Sequence, residues 1–197
     1  MAGLTRPTVS EVFNGQSCII LFNEVTDYDT ATVASIVGTG IDLGQILSGS
    51  TEWAGEDPSF DNVVDEQGDV IVPNPTAGTY GLNFLMADFS ASKLKTFMHG
   101  REITITKADM ANTVFSEAES AIAVGDQLSV ITRPIALVND EANKAILFPK
   151  ARILTGPGME DKLLGLRASF MAQDCTTDNL GTMMYIPKFK LKYATTE

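Results

Sequence analysis

The stretch "KLLGLRASFMA" (residues 162–172) places Leu164, Leu166, Ala168, Phe170 and Ala172 at every second position. That is the period of a strand with one buried face. Upstream lie "QLSVITRPIALV" (127–138) and "KAILFPKARIL" (144–154), two more β-branched runs joined by the turn-prone "NDEAN" (139–143). "TGPGMED" (155–161) reads as the turn leading into 162–172, because glycine and proline punctuate it. Three consecutive strands with short connections make an antiparallel meander, and this sets the expectation for the rest of the chain.

The first half carries the same signals in shorter pieces. "QSCIILFNEV" (16–25) reads as a buried strand. "TATVASIVGTG" (30–40) and "IDLGQILSGSTEW" (41–53) read as strands punctuated by Gly38, Gly40, Gly44 and Gly49. "VVDEQGDVIV" (63–72) has two β-prone ends around Gly68, a hairpin signal. "PNPTAG" (73–78) is expected to interrupt regular structure, since Pro73 and Pro75 cannot donate to a ladder. Residues 52–78 therefore read as a long exposed excursion, and "GTYGLNFLMADF" (78–89) resumes a strand. The clearest helix is "SASKLKTFMHG" (90–100), with Ser90 as cap, Leu94, Phe97 and Met98 on one face, and Gly100 as stop.

The expected fold is mainly β, an antiparallel β-sandwich or barrel with one short flanking α-helix and long loops. A single domain spans residues 1–197, with an N-terminal arm over 1–15, an acidic loop over 52–78 and a C-terminal strand or arm over 183–197. In "MMYIPKFKLKYATTE" (183–197), Lys188, Lys190 and Lys192 alternate with Phe189, Leu191 and Tyr193. Such a strand either meets an anionic partner or uses its lysines to block edge pairing.

Charge is distributed unevenly. Residues 7–92 hold 13 acids and no bases, whereas residues 93–197 hold 12 acids and 13 bases, and the net charge is −11. This excess argues against binding nucleic acid through its phosphates. The acids concentrated around the excursion are Glu52, Glu56, Asp57, Asp61, Asp65, Glu66 and Asp69. They form either a solvated, solubilising face or a surface with a specific job.

Chemistry is not signalled. The lone His99 lies at a helix end with no nucleophile pattern near it, and there is no phosphate-binding glycine loop. "DYDTAT" (27–32) and "DEQGD" (65–69) lack the glycine and closing glutamate of a calcium loop. Glu52, Glu56 and Asp57 have no defined separation that would make them a glycosidase pair. Cys18 and Cys175 read as buried small hydrophobes rather than a disulfide. The expectation is a non-enzyme with no cofactor and no metal, made in a cytoplasm and not inserted in a membrane.

The order of features resembles the major tail (tail tube) proteins of long-tailed bacteriophages. "GTGIDLGQILSGSTEW" (38–53) leads to an acidic loop and then to "GTYGLNFLMADFSASKLKTFMHG" (78–100). Later "ILFPKARIL" (146–154), with its Phe148, Pro149, Lys150 step, precedes "LLGLRASFMAQD" (163–174). The resemblance covers about residues 30–175 and implies a virion structural protein. It implies homohexameric rings stacked head to tail into a hollow tail tube, which contacts other tail proteins and through which double-stranded DNA passes without being bound. On that reading the acids supply a lumen or inter-ring surface, and Lys188, Lys190 and Lys192 a basic assembly strand. The alternatives are another tail component, of tube-terminator or baseplate type, and a soluble ion- or carbohydrate-binding β-sandwich.

Overall fold

A computed structural model describes residues 18–44, 46–47, 49–64, 66–67, 70–105, 120–125, 129–139, 141, 143–160, 162–175, 180–188 and 191. The chain is mainly β and its sheets are antiparallel. In chain order its elements begin with β1 (Cys18–Phe22), α1 (Val33–Ile36), β2 (Gly40–Asp42), β3 (Glu52–Trp53), β4 (Ser59–Val64) and β5 (Val70–Thr76). There follow β6 (Gly81–Met86), α2 (Ala91–Met98), β7 (Arg101–Thr104) and β8 (Ser120–Ala123). The last four are β9 (Ser129–Asn139), β10 (Lys144–Glu160), β11 (Leu163–Ala172) and β12 (Met184–Ile186).

The meander read from the sequence is the centre of the molecule. The main sheet runs β2-β1-β9-β10-β11-β6-β3, with β12 added to β10. Its two sides meet the same short segment. Leu43 donates its N–H to Ile19 of β1, and Leu47 donates to Leu85 of β6, each at 2.9 Å. Four residues reach at most about 14 Å, so the opposite edges of the sheet are drawn together. Residues 40–53 thus close the sheet into a barrel, the second of the two expected architectures. The interior is apolar and contributed by β1, β6, β9, β10 and β11: Ile19, Phe84, Ile135, Phe148, Ile153 and Phe170 are all essentially inaccessible. Phe97 of α2 joins this interior, with Leu94 and Met98 packed beside it, as the helical face requires.

A second cluster lies on the outer face of the wall. Ile20, Phe22, Ala136, Val138 and Leu147 alternate with the interior residues and pack under α1, Cys175 and Leu180. Strands β1, β9 and the start of β10 are therefore buried on both sides, which explains their continuous apolar runs. Cys175 is buried in this cluster, as expected, whereas Cys18 is only half-buried against it.

Several local readings are corrected. Residues 30–40 contain helix α1 and reach strand only at Gly40, so the described residues carry two helical segments rather than one. Thr32 and Ser35 cap α1 reciprocally, side chain to backbone in both directions, which outweighs the β-branched content. At α2, Ser90 occupies the cap position, but its hydroxyl meets Ser92 instead of a helix N–H. His99, not Gly100, takes the left-handed conformation, with φ 48°. Gly100 is needed for space, since a Cβ there would lie 2.6 Å from Ile122 Cγ2.

The proline-rich segments prove to be strand. "TGPGMED" continues β10 as far as Glu160, and the turn falls after it, with Lys162 at φ 67°. Pro157 is tolerated there because, among the described residues, β9 pairs with β10 only as far as Thr155. Pro149 lies where β10 gains one residue against β9, between Phe148 and Ala151. At this bulge the other edge of β10 changes partner, from β12 (Ala145–Leu147) to β11 (Ala151 onward).

Candidate assembly surface

Residues 52–83 form a single hairpin arm rooted in the barrel wall. The root pairs Glu52 with Asn83 and Trp53 with Leu82. Beyond it, Ala54 donates to Gly81 at 3.0 Å, Thr79 donates to Glu56 at 2.9 Å, and the Glu56 N–H reaches the Thr79 hydroxyl at 2.9 Å. The distal part then pairs β4 with β5, Ser59 opposite Thr76 through Val63 opposite Val72. Paired residue numbers keep one constant sum from Glu52 to Val63, so root, neck and tip belong to one ribbon.

The neck depends on glycine. A Cβ on Gly55 would lie 2.2 Å from the Thr79 carbonyl, and one on Gly78 would lie 2.4 Å from the Glu56 carbonyl. Both are backbone atoms that cannot swing aside, so only glycine lets the two chains pass this close. The root is braced by aromatic rings. Trp53 meets Tyr80 edge-on at 6.0 Å, Tyr80 meets Phe148 at 6.3 Å, and Phe148 meets Phe170 at 5.1 Å. This chain of rings ties the arm to the barrel interior.

From Glu56 to Val64 the arm extends about 25 Å at the rise of a strand. Its tip forms its own two-stranded sheet, separate from the barrel sheet. The hairpin expected over 63–72 is present, but Pro73 and Pro75 belong to β5 and do not end it. Two residues apart, they turn their nitrogens the same way. Pairing with β4 persists, so both nitrogens face the ribbon's open edge.

The tip is two-faced. Phe60 lies directly opposite Pro75 and is 69% exposed. The alternate positions carry Ser59, Asp61, Asn74 and Thr76, with the Thr76 hydroxyl donating to Asp61 at 3.4 Å. The whole 52–83 arm contains seven acids and no base.

Each residue singled out in the sequence has a definite place. Glu52 sits at the root beside Asn83, Glu56 at the neck, Asp57 just beyond it, Asp61 on the polar face of the tip and Glu66 in its turn, all exposed. Asp65 and Asp69 lie outside the described residues. The acids are thus strung along an arm rather than gathered at one point. Among the described residues, no three His, Cys, Asp or Glu side chains group to hold a metal. Asp27 is occupied locally. Its carboxylate accepts the Thr30 hydroxyl at 2.8 Å and the Asp29 N–H at 2.9 Å, and these bonds, the hydroxyl first, hold its pKa below the usual carboxylate range.

The C-terminal strand expected over 183–197 is described as strand only over Met184–Ile186. Lys188 follows in an exposed bend, Leu191 packs on the outer cluster, and Lys190 and Lys192 lie outside the described residues. Register relates Lys188 to the arm. Gly81 pairs with Met171 and Met171 with Arg152, so the arm leaves toward the end of β10 that precedes Arg152. It is at that same end that β12 pairs with Ala145–Leu147.

Sequence reasoning missed the open face of the wall. Arg152 lies opposite Met171, Leu154 opposite Ser169, and Gly156 opposite Arg167, all on the outer side of β10 and β11. Leu154 is 40% and Met171 46% exposed. Arg167 is 3.8 Å from Glu160, whereas Arg152 makes no ion pair among the described residues. Beside this face, Ser50, Glu52, Asn83, Glu160, Arg167 and Ser169 line a shallow polar cleft of about 520 Å³. The available signal was the outward parity of "ARIL" and "RASFM", which carries Arg152, Leu154, Arg167, Ser169 and Met171 and no acid.

No protein-family model and no curated protein sequence matches this chain. Among the described residues no helix is long and apolar enough to cross a membrane.

Proposed function

We propose that this chain is a virion structural protein that works by self-assembly, the subunit of a phage tail tube built from stacked homohexameric rings. The observation that carries the reading is the arm. A two-stranded ribbon is at best marginally stable in water, and this one projects about 25 Å and leaves Phe60 69% exposed. Such a device gains its stability by packing against a neighbour. Further apolar exposure at the β10–β11 tip, with Met159 at 66% and Leu164 at 44%, belongs to the same pattern. Gly81 and Met86 fix the orientation of β6, so the arm and this tip emerge at opposite ends of the wall. Two unlike surfaces at opposite ends suit a head-to-tail contact, which propagates instead of closing.

The charge fits a conduit. Acids that face the channel repel duplex phosphate, so double-stranded DNA slides during ejection and is not held by counterion release. The remaining arm acids steer assembly and set register, while apolar burial supplies the affinity. Electron microscopy of the purified protein over a concentration series tests the proposal. Rings or hollow tubes are expected. A particle that stays monomeric up to millimolar concentration refutes it, and calcium or glycan binding by that monomer would favour the soluble binding module.

A further inference from the structure

We infer that the tip of the arm docks on the open outer face of β10 and β11 in a second copy of this chain, with Phe60 and Pro75 seated on Leu154 and Met171 between Arg152 and Arg167. This rests on the self-assembly reading and names the surfaces that carry it.

Charge complementarity selects the occupant. The arm has seven acids and no base between residues 52 and 83. The receiving face presents two exposed guanidinium groups, and that of Arg152 has no acidic partner among the described residues. Apolar character matches as well. The tip offers Phe60 opposite Pro75, and the face offers Leu154 and Met171. Gly156, two residues after Leu154, has open space where a Cβ would stand, whereas the Met171 sulfur already lies over Gly81, 3.3 Å from the place of a Cβ there. An aromatic anchor seated on apolar side chains flanked by arginines is a strong kind of interface centre.

Geometry makes the contact intermolecular. The arm's own root is joined to Met171 through Gly81, and the arm runs away from that point. Backbone bonds at Ala54 and Thr79 and the close glycine crossing at residues 55 and 78 hold this course. For Phe60 to reach the face of its own barrel, the ribbon would have to double back through that neck. A second copy receives it without any such bend. The donor and acceptor surfaces differ, so each copy can give one arm and accept one.

The test places the photo-crosslinking residue p-benzoylphenylalanine at position 60 of the full chain under assembling conditions, followed by peptide mass spectrometry. Cross-links from position 60 of one copy to residues 150–171 of another are expected. Mixed isotopic labelling distinguishes links between copies from links within one. Leu154→Ser and Arg152→Glu should each raise the concentration needed for assembly by about tenfold, with the melting temperature unchanged. Assemblies that form normally but cross-link position 60 to another surface, or only within one copy, overturn this inference and leave the tube reading intact. Assemblies unaffected by both substitutions do the same. Wild-type protein that never assembles overturns both.

Discussion

Replacing Phe60 by serine separates assembly from folding, because the side chain contributes to one and hardly to the other. Full burial of a phenylalanine side chain is worth about 1.5–3 kcal/mol. In the free chain Phe60 keeps 69% of its surface in water. Docking can therefore gain about 1–2 kcal/mol from this residue, which serine forfeits. Each added subunit buries one such contact, so the critical concentration should rise roughly 5- to 30-fold. Folding should be nearly indifferent, since an exposed substitution is usually within about 0.5 kcal/mol, or less than about 2 °C in a chain of this size. Sedimentation velocity across a dilution series reads the first quantity, and thermal unfolding the second. Trp53, the chain's single tryptophan, stands at the arm root and reports whether that root is intact. An unchanged critical concentration would refute the role given to the arm tip. So would a large drop in melting temperature, which would mean that Phe60 supports its own barrel.

Two further outcomes test the fold beneath the site. Gly165→Ala places a Cβ 2.2 Å from the Met86 carbonyl, a backbone atom in the neighbouring strand. It should destabilise the barrel by about 1–3 kcal/mol or more, seen as a lower midpoint in urea, and an unchanged midpoint would contradict the close packing of β11 on β6. Burial first, then the negative potential of Cys175 and Glu24, pushes the Tyr28 phenol up to about 12 from its ordinary 10.0. The folded state favours the neutral phenol, so this contribution is whole below pH 10 and is lost as pH rises from 10 toward 12. Tyr28→Phe should flatten the fall in stability over that interval, measured by denaturant unfolding at stepped pH. Parallel curves for the two proteins would show that Tyr28 is solvated.

Periodicity made the barrel's strands legible. Residues 162–172 alternate, and the structure buries Leu166, Ala168 and Phe170 as that alternation demands. Leu164 shares their parity but is 44% exposed, because it lies past the end of the β6 pairing that begins at Leu166. Parity says which side a residue faces; only the neighbouring strand decides whether that side is covered. The same limit explains the prolines. Pro73, Pro75 and Pro157 look like breaks in one dimension, yet each lies within a strand whose pairing continues past it. The helix α1 was hidden for a different reason, since a reciprocal cap between Thr32 and Ser35 is a local bond that outweighs β-branched propensity.

The sequence by itself determined the mainly β character, the strong strands, the α2 core face and the acid-only segment 7–92. These follow from side-chain period and from charge, which are properties of the chain alone. Tertiary structure decided that residues 40–53 close the wall, that 52–83 is one braced arm, and that Arg152, Leu154, Met171 and Arg167 share an uncovered face. Those facts depend on hydrogen bonds between segments distant in sequence, and no local pattern specifies which strand edge a distant segment will meet.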